Sequence, residues 1–178
     1  QLLEWNKEWG YMDRIVDLSN LSVAQAAKVI EEMFMADLLE CFKEIFYDIA
    51  VQSMQIAVHK DVYAKYHSTA SPYRRYKRRK EDGGLSDPRN FDIQIYREKN
   101  GNIIGYVKNI TRGVGKAYEL DAAIVYGDQY DWLASKIYRL QPFPRDFYQG
   151  TIDRIEDSNW VYKVRRLMNQ RGWQTTGK

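Results

Sequence analysis

The sequence predicts an α+β fold: a small antiparallel sheet built on a β-hairpin, packed with a long N-terminal helix and a C-terminal helix. Three observations carry this. Apolar residues recur at spacings of three and four from Val23 to Ile49, the signature of one face of an α-helix. Phe91 to Ile110 holds two alternating runs on either side of an Asn-Gly pair. A second helical pattern follows a proline-bounded turn near the C-terminus.

The elements follow in order. Residues 1–60 read as an N-terminal helical region that packs on neighbours. Within it, Leu2 to Leu18 is a short helix or an arm, and Ser22 is the N-cap of the main helix. The stripe is Val23, Ala27, Ile30, Phe34, Leu38, Cys41, Ile45 and Ile49. No Gly or Pro occurs from Leu21 to Ser71, so the helix can reach Val58. At 1.5 Å per residue that is roughly 55 Å, long for a small domain. It either breaks near Gln52 to Gln55 or projects onto adjacent subunits. Residues 61–172 read as the α+β domain. Asp61 to Tyr66 is a second helical patch stopped ahead of Pro72. Residues 68–90 form an extended basic loop, and connections of that length are usually functional or disordered.

Phe91 to Arg97 and Ile103 to Ile110 form the hairpin, with a type I′ turn expected at Asn100-Gly101. Thr111 to Lys116 is a loop, and Ala117 to Tyr126 a short helix stopped by Gly127. Trp132 to Leu140 reads as a third strand and Gln141 to Pro144 as a stiff turn. Phe147, Ile152, Ile155, Trp160, Val164 and Leu167 then support one final helix from Arg145 to about Arg171. Residues 173–178 are a frayed tail.

Composition narrows the function. Hydrophobic residues are 44% of the 178, enough for a packed core. The chain has 14 Tyr and 5 Trp, ring types suited to protein contacts. Its one cysteine, Cys41, lies on the helical stripe as a small hydrophobe, so no disulfide forms within one chain and a reducing compartment is expected. No apolar run approaches the roughly 20 residues of a membrane helix, and the first residues hold no apolar signal segment. No membrane partner is expected. The net charge of +3 hides a polar distribution. Lys60 to Lys116 carries 14 basic and 6 acidic residues, whereas the residues before Lys60 carry 4 and 10.

Catalytic equipment is sparse. His59 and His67 lie around a helix end without metal-ligand spacing, and they read as surface residues. Gly113-Val-Gly115 lacks the rest of a phosphate-binding signature, and Asp128 and Asp131 flank a solvated turn. No enzyme activity, cofactor or metal is expected. The outstanding segment is Tyr73, Arg74, Arg75, Tyr76, Lys77, Arg78, Arg79 and Lys80. Its cations suit phosphates and its tyrosines suit bases, so one reading is a basic nucleic-acid-binding protein. The other is a partner-docking strip, with Glu81 and Asp82 as pairing groups in the fold.

The stretch from Val62 to Tyr96 resembles the neck, or tail-completion, proteins that join head to tail in tailed bacteriophages. The elements are Val62-Tyr63, Tyr66, Ser71-Pro72, Tyr76 to Arg79, Gly83-Gly84-Leu85 and Asp87-Pro88 ahead of a hairpin. ELDAAIVYGDQYDW and RLQPFPRDFYQGTIDRI resemble the remaining plan, so the likeness covers about Asp61 to Ile155. The long helix lies outside it, and the arginine of the turn is shifted to Arg139 or Arg145. The resemblance implies a structural virion protein of the neck that forms a homo-oligomeric ring. Its partners would be portal or adaptor and tail proteins, with non-specific contact to packaged DNA in the lumen. It would reside at the virion's neck, and in host cytoplasm during assembly. The basic run would dock on acidic surfaces such as the Glu31 to Asp48 helix of an adjacent copy, or face DNA. Pro72 and Pro88 would stiffen the segment's ends, and Gly83 and Gly84 would supply a tight turn with φ > 0 before Leu85 and Asp87.

Overall fold

The computed structural model describes residues 2–5, 12–65, 79–113, 119–126 and 144–175, with 2–5 and 12–15 defined by backbone course alone. Two compact units emerge, residues 1–43 with 161–178, and residues 44–160.

In the first unit, the N-terminal segment is a hairpin. β1 (Leu2–Trp5) pairs antiparallel with β2 (Met12–Ile15), Leu2 opposite Ile15 and Trp5 opposite Met12. This replaces the expected helix or arm; a short Trp- and Tyr-rich run suits a strand as well as a helical turn. Ser22 then opens α1 (Val23–Ala57) through a reciprocal capping box. Its Oγ accepts from the Gln25 amide at 3.3 Å, and its own amide donates to Gln25 Oε1 at 2.9 Å. The chain's other end is tied to this helix. Trp173 Nε1 donates to the buried Asp37 Oδ2 at 2.8 Å, Arg171 lies 3.5 Å from Oδ1, and the Trp173 ring meets Phe34 edge-on at 5.2 Å. Thr175 donates to Asn169 Oδ1. Residues 173–175 are therefore held rather than frayed, because a buried carboxylate demands partners.

The second unit carries the main core: Met54, Ala57, Val58, Val62, Leu85, Phe91, Ile124 and Phe147. α1 passes Gln52 to Gln55 without a break and continues as a π-turn, Val58–Tyr63, whose close is an Ala64 N–H to His59 carbonyl bond of 2.8 Å. Its Asp61 approaches α3 (Phe147–Glu156) at Gly150, where any side chain would strike the Asp61 carboxylate. Arg154 lies 3.6 Å from that carboxylate.

β3 (Phe91–Arg97) and β4 (Ile103–Asn109) form the expected hairpin, with Phe91 opposite Asn109 and Arg97 opposite Ile103. Its turn is not type I′. That type needs φ > 0 at two residues, and here only Gly101 has it, at +93°. Glu98 accepts from the Gly101 amide at 3.0 Å and donates to the Asn102 carbonyl at 2.8 Å, so Gly101 takes the left-handed position after a turn through Lys99 and Asn100. One face of the hairpin meets Phe46 of α1 through Gly105.

α2 is shorter than expected, Asp121–Tyr126, because Glu119 is taken up by an antiparallel bridge to Arg112. The single C-terminal helix is two, α3 and α4 (Trp160–Gln170). Asp157-Ser158-Asn159 breaks it: Asn159 adopts φ +56°, which asparagine tolerates better than most residues, and Ser158 Oγ donates to the Ile155 carbonyl at 2.6 Å. The expected third strand at Trp132 to Leu140 and the Gln141 to Phe143 part of the turn lie outside the described residues.

A Cβ at Gly105 would sit 2.7–2.9 Å from three atoms of the buried Phe46 ring. Gly105→Ala should therefore cost roughly 1–3 kcal/mol in chemical denaturation by overpacking. A substitution that leaves the midpoint unchanged would show that the hairpin does not bear on Phe46.

Candidate functional site

The segment entering the hairpin is a built turn rather than a loose linker. Lys80 takes left-handed backbone (φ +45°), as does Gly83 (φ +72°). Gly84 needs no positive φ, contrary to expectation; a Cβ there would strike the Lys80 amide and carbonyl, so the glycine permits a direct backbone-to-backbone approach. Asp87, 1% exposed, organises the rest of the turn. It caps the short Pro88–Asn90 3₁₀ turn by accepting from the Arg89 amide at 2.9 Å, and it accepts from the Gly83 amide at 2.6 Å. Arg89 clamps the same carboxylate through Nε at 2.9 Å and Nη2 at 2.5 Å. These guanidinium bonds, joined by the two amides and opposed by burial, hold the Asp87 carboxyl far below the usual carboxylate range.

A buried polar clasp seats this turn. Asn109 Nδ2 donates to the Leu85 carbonyl at 2.7 Å, Thr111 Oγ1 donates to the Gly84 carbonyl at 3.2 Å, and Asn90 Nδ2 reaches that same carbonyl at 3.0 Å. Gln55 of α1 donates to the Ser86 carbonyl at 3.0 Å. The Tyr148 hydroxyl accepts from the Asn109 amide at 2.9 Å and donates to Asp121 at 2.8 Å. Burial, with the Asp121 bond adding to it, pushes the Tyr148 phenol well up, so the hydroxyl stays a donor.

Beside the turn, Arg79, Gly83, Asn90, Ile110, Arg112, Gly113 and Glu119 line an open groove of about 620 Å³. Arg79 Nη2 donates to the Arg112 carbonyl at 2.6 Å. Lys80 and Arg112 are exposed. Lys108 pairs with Glu119, and that bond raises the Lys108 pKa. The groove thus offers guanidinium groups beside the partly exposed Ile110. Such a surface suits an acidic, partly apolar partner.

Of the anticipated docking residues, Arg79 and Lys80 belong to this frame. Pro72 and Tyr73 to Arg78 lie outside the described residues. Gly83, Gly84, Leu85, Asp87 and Pro88 form the turn itself, with Leu85 in the core. Among the described residues, Glu81 pairs with His59 at 2.8 Å and Asp82 with Arg89 at 3.7 Å. Asn109, Thr111, Tyr148, Asp121 and Arg112 were not anticipated, since lone polar residues near strand and helix ends give no distinguishing pattern. Among the described residues no cluster of three or more His, Cys, Asp or Glu could hold a metal, and no helix is long and apolar enough to cross a membrane.

The family model described as YomN matches residues 22–170. The chain belongs to the YomN family, a phage-derived family. The match opens at the capping serine of α1 and closes at the last residue of α4, so it takes in the long helix that the motif resemblance left out. No curated protein and no solved structure matches the chain.

Asp87→Asn should cost roughly 2–3 kcal/mol at neutral pH, because it weakens several charge-assisted bonds in a buried site. The sign with pH comes from the depressed pKa. The unfolded carboxyl binds its proton near about pH 3.9, while the folded one resists, so this stabilisation is present above about pH 4 and is lost as pH falls further. Melting curves should show the gap between wild type and Asp87→Asn narrowing below about pH 4. A gap constant into strong acid would mean the charge is not what holds the turn.

Proposed function

We propose that this phage-associated chain is a structural virion protein, a ring-forming neck component joining the portal side of the head to the tail. The observation that supports it most is the convergence of the resembling motifs in one unit. Val62-Tyr63 closes the π-turn, Gly83 to Pro88 is clasped onto the hairpin, and Asp121 reaches Tyr148 of α3. A ring subunit needs such a rigid body, from which a charged segment reaches its neighbours. In this reading the partners are further copies of the chain, portal or adaptor and tail proteins, and packaged DNA as a non-specific contact. The chain performs no catalysis and carries no cofactor. It works in the virion neck after assembly in the host cytoplasm.

Quantitative mass spectrometry of purified virions tests this. A ring predicts a copy number near that of the portal, about a dozen per particle. Hundreds of copies would place the chain in capsid or tail tube, and its absence would remove the structural reading. Absence combined with steeply salt-dependent DNA binding by the free chain would favour the nucleic-acid alternative. Within the neck reading, reversing Arg74, Arg75 and Arg78 should block head–tail joining without lowering the melting temperature. Arg79 is best spared, because its guanidinium holds the Arg112 carbonyl.

A further inference from the structure

The stripe of α1 is continuous in sequence but not in burial. Cys41 and Ile49 are buried, and Phe34 meets the Trp173 ring. Beyond Phe34 the same face runs into solvent: Ile30 is 44% exposed and Val23 88%. A helix face that is core at one end and open at the other is an interface continued past its cover. The open end is flanked by exposed Glu31 and Glu32, and the helix from Leu21 to Asp48 carries six acidic residues against Lys28 and Lys43.

We propose that a second copy of this chain covers the open stripe, seating it in the groove between Arg79 and Arg112. Two features select this occupant. The groove places the partly exposed Ile110 beside basic side chains, which complements Val23 and Ile30 beside Glu31. Pairing with a second open stripe would instead oppose Glu31 and Glu32 to their own copies, which like-charge repulsion disfavours. Stripe and groove are different patches of one chain, so the contact is heterologous, and repeated contacts of that kind close into rings or extend into filaments. The inference rests on the ring reading above and names the surfaces that would make it.

The test is sedimentation velocity of the full chain up to about millimolar concentration, where weak contacts populate. Concentration-dependent association is expected, weakened by salt. Ile30→Asp and Arg112→Glu should each weaken it about tenfold or more, and Glu31→Lys combined with Arg112→Glu should restore part of it. Both sites are exposed, and unchanged melting curves would confirm that the variants fold. A chain that stays monomeric throughout would overturn the proposal. So would association that responds to Ile30→Asp but not to Arg112→Glu, which would assign the stripe a different cover. Virion copy number tests the neck reading separately, since a chain can occupy the neck through other surfaces.

Discussion

The second unit depends on the side chain of Asn109. It is fully buried at the end of β4, yet both its side-chain polar atoms are engaged. Nδ2 donates to the Leu85 carbonyl, Oδ1 accepts from the Thr111 amide at 3.1 Å, and the backbone amide donates to Tyr148. Nδ2 also lies 3.9 Å from Met54 Sδ of α1. One residue therefore fixes the motif turn, the exit from the hairpin, α1 and α3 relative to one another. In a low-dielectric interior such bonds are strong when complete, and each partner left unsatisfied costs roughly 1–3 kcal/mol. The hairpin gains from this. Two strands alone are marginal in water, and here they are held at one end by the clasp and along one face by Phe46.

The long helix serves two environments, and its residues divide accordingly. From Cys41 onward it supplies the core, with Phe42, Phe46, Ala50, Met54 and Ala57 added to the stripe. Before that, Asp37 is the one buried side chain of the helix, and it is polar. It holds the C-terminal Trp173 through a hydrogen bond rather than through apolar area. The N-terminal half thus keeps helical form through its capping box, its lack of Gly or Pro, and continuity with a buried half. Val29, Met33, Phe34, Met35, Leu38 and Leu39 of this half are half-buried, whereas Val23 and Ile30 are exposed, which is why these two call for an explanation.

Patterns that repeat were legible in the sequence, and single contacts were not. The α+β class, the capping Ser22, the course of α1 and the paired strands all come from periodicity or paired signals. Asn100-Gly101 marked the turn correctly, but the dipeptide does not settle which residue takes φ > 0. The helix break at Asp157-Ser158-Asn159 was missed, because the apolar pattern continues across these three helix-poor residues. The glycines of the motif were legible as turn residues. That Gly84 answers to the Lys80 backbone, and not to a dihedral, depends on a fold-level approach. Asp87 reads as a turn residue too, yet its burial comes from its partners in space.

The clasp also bears on what the basic run can do. The charged segment runs into a fixed frame: Arg79 is anchored on Arg112, Lys80 lies against Gly84, and Gly83 is bonded to Asp87. On its other side the chain leaves the π-turn, itself locked to α3 at Gly150. A run with six cations in eight residues has a strong electrostatic reach, but affinity is reduced by every rotamer and backbone state that binding must freeze. In the docking reading proposed above, fixing both flanks would lower that cost without adding a contact. If the run docks as proposed, the buried polar bonds around Asn109 and Asp87 would act on recognition through pre-organisation, with both side chains buried.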